Sequence, residues 1–224
     1  MTLIRGLSFP PRLRAVLFDL DGTLTRPRSS WQHIHEALGI WSGKADRYQQ
    51  RFRAGEISYE EFCRLDAEEW RGMPIRRLRD ICDGIPYHEG AADLLRALKE
   101  AGLVVGIVST GLSLLAERVR HEHALDDAIA NELVVKDGVV TGEVRITVAH
   151  GEKDRALAGF CGRFDLASDR VAAVGDTEGD LSMFRAAGWS IAFNAADETV
   201  ERGASAAVEG ADLRGLIPLL LPPH

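Results

Sequence analysis

Short apolar runs, each breaking into polar and glycine-containing residues, recur along the chain. Arg14-Ala-Val-Leu-Phe18 runs into Asp19, and Leu103-Val-Val-Gly-Ile-Val108 into Ser109-Thr110-Gly111. Arg170-Val-Ala-Ala-Val174 runs into Gly175-Asp176, and Trp189-Ser-Ile-Ala-Phe193 into Asn194. Continuous apolar runs of this length, closed by turn residues, predict parallel strands buried on both faces. Helical periodicity over 91–101, 112–121 and 181–187 lies between or after them. The alternation predicts an α/β fold, a doubly wound, Rossmann-like parallel sheet.

Two stretches break the alternation. Residues 26–89 carry helical patterns near 31–39, 44–54, 58–71 and 75–83, with no convincing strand, punctuated by Gly55, Ser58 and Pro74. They hold three of the four tryptophans, Trp31, Trp41 and Trp70. This predicts an inserted helical cap over 26–89 with a small core of its own, leaving 1–25 and 90–224 as the α/β core. Around Asp137-Gly138, apolar residues on both sides predict a small β-hairpin with a two-residue turn.

Composition narrows the function classes. The 224 residues fit one domain, or a core with a smaller appendage. A net charge of −7 argues against DNA, RNA or anionic membranes as partners, which call for basic patches. The cap holds 11 basic and 11 acidic residues, so the whole excess of acid lies in the core. Cys63, Cys82 and Cys161 are widely spaced, which excludes a disulfide framework and fits a reducing, cytoplasmic setting. No apolar run reaches the ~20 residues of a membrane span, and no signal-peptide pattern opens the chain. The pattern fixes no oligomeric state.

Candidate chemistry sits where the runs end, because open α/β sheets bind ligands beyond the carboxyl ends of their strands. Asp19 and Asp21, two apart on extended chain, point the same way. Ser109 offers a hydroxyl, expected to sit beside the N-terminus of the following helix as a phosphate seat. Asp176 and Asp180 follow the third run, with Lys153 ahead of it. Only four lysines stand against 23 arginines, so a lysine here is less casual than it would otherwise be. Four clustered carboxylates call for a positive partner, and oxygen ligands suit Mg²⁺. Carboxylates, a hydroxyl, a lysine and a metal suit phosphoryl transfer, with an aspartate as nucleophile.

Asp19-x-Asp21-Gly-Thr23, Ser109, Lys153 and Gly175-Asp176-x-x-x-Asp180 resemble, in order, the four motifs of the haloacid dehalogenase superfamily, and most closely its phosphoserine-phosphatase-like branch. The resemblance implies a Mg²⁺-dependent phosphatase of a small phosphorylated metabolite. It implies Asp19 as nucleophile and Asp21 as acid, then base. It implies Ser109 and Lys153 as holders of the phosphoryl oxygens. The metal would take the Asp19 carboxylate, the Asp21 carbonyl and Asp176, with Asp180 near the metal or orienting Lys153. Thr110 and Gly111 stand where the branch has Gly-Gly.

Two departures from phosphoserine phosphatases bear on the leaving group. Arg28 stands where they place the glutamate that receives the substrate ammonium, and Asp66 aligns with their cap arginine. Both are candidate substrate contacts, and their identities predict a leaving group other than serine. Phosphoserine phosphatase proper and a phosphotransferase to a non-water acceptor are the alternatives within the family. A phospho-accepting receiver-like module is the alternative from another class, although it needs only about 120 residues, at the lower end of domain sizes, and no helical insert.

Overall fold

The computed structural model describes residues 2–4, as backbone, and 12–221. Eight strands form one sheet. They are β1 (Thr2–Ile4), β2 (Ala15–Phe18), β3 (Val104–Leu112), β4 (Asp127–Lys136), β5 (Val139–Arg145), β6 (Val171–Gly175), β7 (Trp189–Phe193) and β8 (Ala206–Val208). Their order is β1-β8-β7-β6-β2-β3-β4-β5. The five inner pairings are parallel, and the outer pairs β1/β8 and β4/β5 are antiparallel. All four predicted strands are present, and the strand order reverses at β2, the first in the chain after β1.

The helices are α1 (Ser30–Ala37), α2 (Asp46–Arg53), α3 (Tyr59–Glu68), α4 (Ile75–Asp83), α5 (Ala91–Glu100), α6 (Ser113–Glu122), α7 (Lys153–Phe164), α8 (Leu181–Ala186), α9 (Glu198–Gly203) and α10 (Ile217–Leu220). None among the described residues is long and apolar enough to cross a membrane.

Period-two alternation explains the two layers. Val16 and Phe18 of β2 face one apolar cluster, with Leu94 and Leu98 of α5 and Leu115 of α6. Ala15 and Leu17 face the other, with Leu157 and Phe160 of α7 and Met183 of α8. A strand buried on both sides cannot show polar alternation, which is why it reads as an unbroken apolar run. The hairpin turns at Asp137 (φ 52°) and Gly138 (φ 80°), both left-handed as a two-residue turn requires.

The helices α1 to α4 fall within residues 26–89, but their core is not separate. Trp31, Ile34, Phe62, Cys63, Trp70 and Leu78 belong to the same apolar cluster as Phe18, Leu94 and Ile107. Trp31 and Trp70 stack at 5.4 Å between ring centroids. The expectation of an independent small core is therefore corrected: four short helices bury too little against one another and complete their burial on the sheet layer. Backbone hydrogen bonds also tie the insert to the hairpin, from Gly72 to Val140, Val140 to Met73 and Ile75 to Gly138.

Candidate active site

The carboxyl ends of β2, β3 and β6 converge on a buried polar cluster. Lys153, the first residue of α7, has a side chain only 2% exposed. Its ammonium donates to Asp19 Oδ1 and to Asp180 Oδ1, each at 2.5 Å. Burial alone would lower the lysine, but Asp180 and Asp19 outweigh it and hold it above its ordinary range. Burial raises Asp19 well above the usual carboxylate range, with Lys153 opposing and Asp180 and Asp176 reinforcing the rise.

Asp180 occupies both of its oxygens. Oδ1 takes Lys153, and Oδ2 accepts the Asp176 amide at 3.0 Å and the Thr177 amide at 2.9 Å. Asp176 is different. Oδ1 accepts the Thr23 hydroxyl at 3.1 Å, while Oδ2 is buried without a hydrogen-bond partner. Burial, then Asp180, push Asp176 up to about 7. Asp19, Asp176 and Asp180 each present an oxygen within 4.8 Å of the others. Three acids against one lysine, with an orphaned carboxylate oxygen among them, fit a hard cation. Gly22 (φ +88°) makes room for this cluster, since a Cβ there would lie 2.4 Å from Asp176 Oδ2.

Asp21 is held from the insert. Its Oδ2 accepts the Ser30 amide at 3.0 Å and the Ser30 hydroxyl at 2.7 Å, while Oδ1 has no partner. Burial raises its pKa, and the Ser30 hydrogen bonds oppose that rise only in part.

Ser109, Thr110 and Gly111 lie inside β3, where the register with β4 slips between Val108 and Leu112. The expected place of Ser109 beside a helix N-terminus is therefore corrected. The residues form a bulge, and α6 begins only at Ser113. Bulges of this kind re-aim groups next to functional sites. Ser109 Oγ accepts the Gly111 amide at 2.9 Å. The Thr110 carbonyl takes three donors: Tyr59 hydroxyl at 2.5 Å, Asn131 Nδ2 at 2.9 Å and Trp31 Nε1 at 3.3 Å. Two of these come from the insert. A peptide plane is rigid, so pinning this carbonyl also fixes the Gly111 N–H on its far side. A Cβ at Gly111 would lie 2.5 Å from Asp21 Oδ2, which keeps the position bare.

Asn131 is fully engaged. Its Oδ1 accepts the amides of Thr147 and Val148, joining β4, the segment before α7 and the bulge. Ser30 and Tyr59 carried no signal in the sequence, because their roles depend on how the insert lies over the sheet.

A cavity of about 660 Å³ opens over the cluster, lined by Asp19, Asp21, Lys153, Thr110 and Gly111 from the core. From the insert come Arg28, Trp31, Gln49, Phe52, Arg53, Tyr59 and Phe62. Arg28 lines the cavity. Its Nη2 donates to the Asn194 carbonyl at 2.9 Å, and its Nη1 is 3.8 Å from Asp176 Oδ2. Asp66 is not there, and its expected substrate contact is corrected. Its side chain is fully buried within the insert, 3.3 Å from His35 Nε2. The α3 helix turns that face inward, where Phe62, Cys63 and Ala67 are also buried.

Fold and site together define a doubly wound α/β protein with a carboxylate–lysine centre at its strand ends. The model of haloacid dehalogenase-like hydrolases matches residues 16–185. The chain is 32% identical to a phosphoserine phosphatase of Archaeoglobus fulgidus over 217 residues, covering 96% of this chain and 62% of that protein. It is 31% identical to that of Methanocaldococcus jannaschii over 208 residues, covering 91% of this chain and 96% of the other. A solved structure, a phospho-aspartyl intermediate analogue of phosphoserine phosphatase, superposes with a TM-score of 0.80 at 29% identity, over 92% of this chain and 98% of the other. The chain belongs to the haloacid dehalogenase-like hydrolases, in the phosphoserine-phosphatase-like branch of their phosphoric monoester hydrolases.

Proposed function

We propose that this protein hydrolyses a small-molecule phosphate monoester through a phosphoryl group carried on Asp19. The observation that carries the reading is that Asp19 and Asp21 open on one cavity, each held by a different partner, Lys153 and Ser30. A nucleophile must stay ionised and a general acid must carry a proton, so the two carboxyls need different surroundings. Lys153 opposes the rise that burial gives Asp19, and a bound Mg²⁺ would favour its ionised form further. Asp21 has no cation at hydrogen-bond distance and an unpartnered oxygen, so it can hold the proton.

In the first step an Asp19 carboxylate oxygen bonds to phosphorus, the bond from phosphorus to the leaving oxygen breaks, and Asp21 gives that oxygen its proton. In the second, water attacks the phosphoryl group, Asp21 takes the water's proton, and the bond to Asp19 breaks to release inorganic phosphate. The rigid bulge, with Ser109 and the Gly111 amide, seats phosphoryl oxygens, and Lys153 offsets their charge. Asp19 and Asp176 would hold Mg²⁺ with the Asp21 carbonyl, which leaves Asp180 to orient Lys153. When bound, the metal neutralises charge on the phosphoryl oxygens. The helical insert stands over the site and admits small esters rather than bulky phosphoproteins. Arg28 in place of an ammonium-binding glutamate supports a leaving group other than serine.

The test is turnover of p-nitrophenyl phosphate with Mg²⁺. The expected result is activity abolished by a chelator, restored by Mg²⁺ and not by Ca²⁺, and absent in Asp19→Asn. Activity retained in chelator would contradict the metal assignment. Activity retained in the variant would contradict the nucleophile.

A further inference from the structure

The cavity has two unlike walls. On the core side stand the carboxylates and Lys153. On the insert side stand two guanidiniums, Arg28 and Arg53, an amide, Gln49, and the rings of Phe52, Tyr59 and Phe62. No lining residue from the insert is acidic. We propose that this wall selects phosphate monoesters whose leaving group carries a second negative charge on a ring-bearing body. This deepens the phosphatase reading and rests on it.

The charge argument comes from what each arginine has to do. Arg28 leaves 53% of its side chain exposed; its Nη2 rests on the neutral Asn194 carbonyl, and its Nη1 stands 3.8 Å from Asp176 Oδ2, too far for a hydrogen bond, so the guanidinium keeps donors open to the cavity. Arg53 ends α2, is exposed, and has no ion-pair partner among the described residues. Guanidinium forks match a carboxylate or a second phosphate and repel an ammonium. The other lining carboxylates outside the buried cluster, Glu178 and Asp197, belong to the core rim and not to this wall. Glu178 lies 3.6 Å from His150, and Asp197 Oδ1 caps α9 through the amides of Thr199 and Val200.

The ring argument comes from size and surface. A cavity of about 660 Å³ falls within the roughly 300–1,000 Å³ that accommodates drug-sized ligands, well beyond a three-carbon leaving group. Phe52 meets Tyr59 edge-on at 5.7 Å and stacks on Phe62 at 5.3 Å, and His150 stands edge-on to Phe52 at 5.3 Å. Ring walls of this kind take planar groups by stacking or edge contact.

The test holds the ring constant and varies the charge. With Mg²⁺ present, kcat/KM is measured for 4-(carboxymethyl)phenyl, 4-methylphenyl and 4-(aminomethyl)phenyl phosphates, whose methylene insulates the leaving oxygen from the charge. The expected order is acid, methyl, amine, with acid over amine by about 30-fold or more. In the double variant Arg28→Gln, Arg53→Gln the acid-to-amine ratio falls to within about threefold. Each single variant, at an exposed side chain, falls between. A second pair, the phosphates of 3-phenyllactate and lactate, tests the ring at a constant leaving oxygen, and the phenyl compound is expected to be at least tenfold better. An amine equal to or better than the acid, a ratio unmoved in the double variant, or no gain from the phenyl ring would overturn the proposal while leaving the phosphatase reading intact. Failure to hydrolyse any of these esters would overturn that reading and this inference with it.

Discussion

The two walls of the cavity are built by different means. On the core wall Asp19, Lys153, Asp176 and Asp180 are all buried, and the cluster has one orphaned oxygen, on Asp176. On the insert wall Arg28 and Arg53 are exposed, and the rings touch mainly one another. The difference separates chemistry from choice. Buried charges joined by short hydrogen bonds can move very little, which suits the bond-making step. Exposed arginines and packed rings adapt to a leaving group without disturbing that step.

The contrast breaks most visibly at Lys153. Lys153→Met leaves Asp19 and Asp180 facing each other in a buried site. Removing one partner of a buried ion pair typically costs about 3–5 kcal/mol. Turnover is expected to vanish and denaturant stability, measured in the absence of metal, to fall by about that amount. An unchanged stability would show that the lysine is not the centre of the core wall.

A smaller effect is expected at Tyr59, where the insert reaches the bulge proposed to seat the phosphoryl group. Tyr59→Phe removes one of the three donors on the Thr110 carbonyl and leaves the ring in place. At about 1 kcal/mol for a hydrogen bond, kcat/KM should fall roughly fivefold. The fall should be equal for all leaving groups, since the bulge seats the part they share. A loss confined to one leaving group would show that the Tyr59 hydroxyl serves the selecting wall, as its ring does, and not the shared machinery.

The smallest effect is expected at Asp66, which lies on neither wall. Burial raises its pKa above the ordinary carboxylate value, with His35 opposing. A raised folded-state pKa means the folded protein binds that proton more tightly than the unfolded chain. Asp66 therefore costs stability as pH rises from about 4 through its folded value. The Tm of Asp66→Asn minus that of the parent should become more positive from pH 4 towards neutrality. A difference that is flat or falls with pH would contradict the burial argument.

These two walls were also unequally legible in the sequence. Asp19, Asp21 and Asp176 were singled out because strand ends are marked by the apolar runs that precede them, and Lys153 because lysine is rare in this chain. Ser109 was found but placed wrongly, since a bulge inside a strand leaves no mark in hydrophobic periodicity. The three-residue strand Ala206–Val208 and the short α9 and α10 hold too few residues for any period to show. Asp66 was misassigned because its position rested on spacing within a helix, where a shift of one or two residues turns the side chain from cavity to core. Arg53 and Tyr59 went unread for a related reason. Which face of α2 or α3 looks into the cavity is decided by how Trp31, Phe62 and Trp70 pack on the sheet layer, and that packing is long-range.

The central claim is that the core wall makes and breaks a covalent bond at Asp19. The direct measurement is rapid acid quenching of the enzyme with Mg²⁺ and a ³²P-labelled ester, followed by peptide mapping. The account predicts label on the peptide containing Asp19, released by hydroxylamine as an acyl phosphate should be, and none in Asp19→Asn. Label on another residue, or steady turnover with no label trapped at any quench time while water attacks the ester directly, would contradict it.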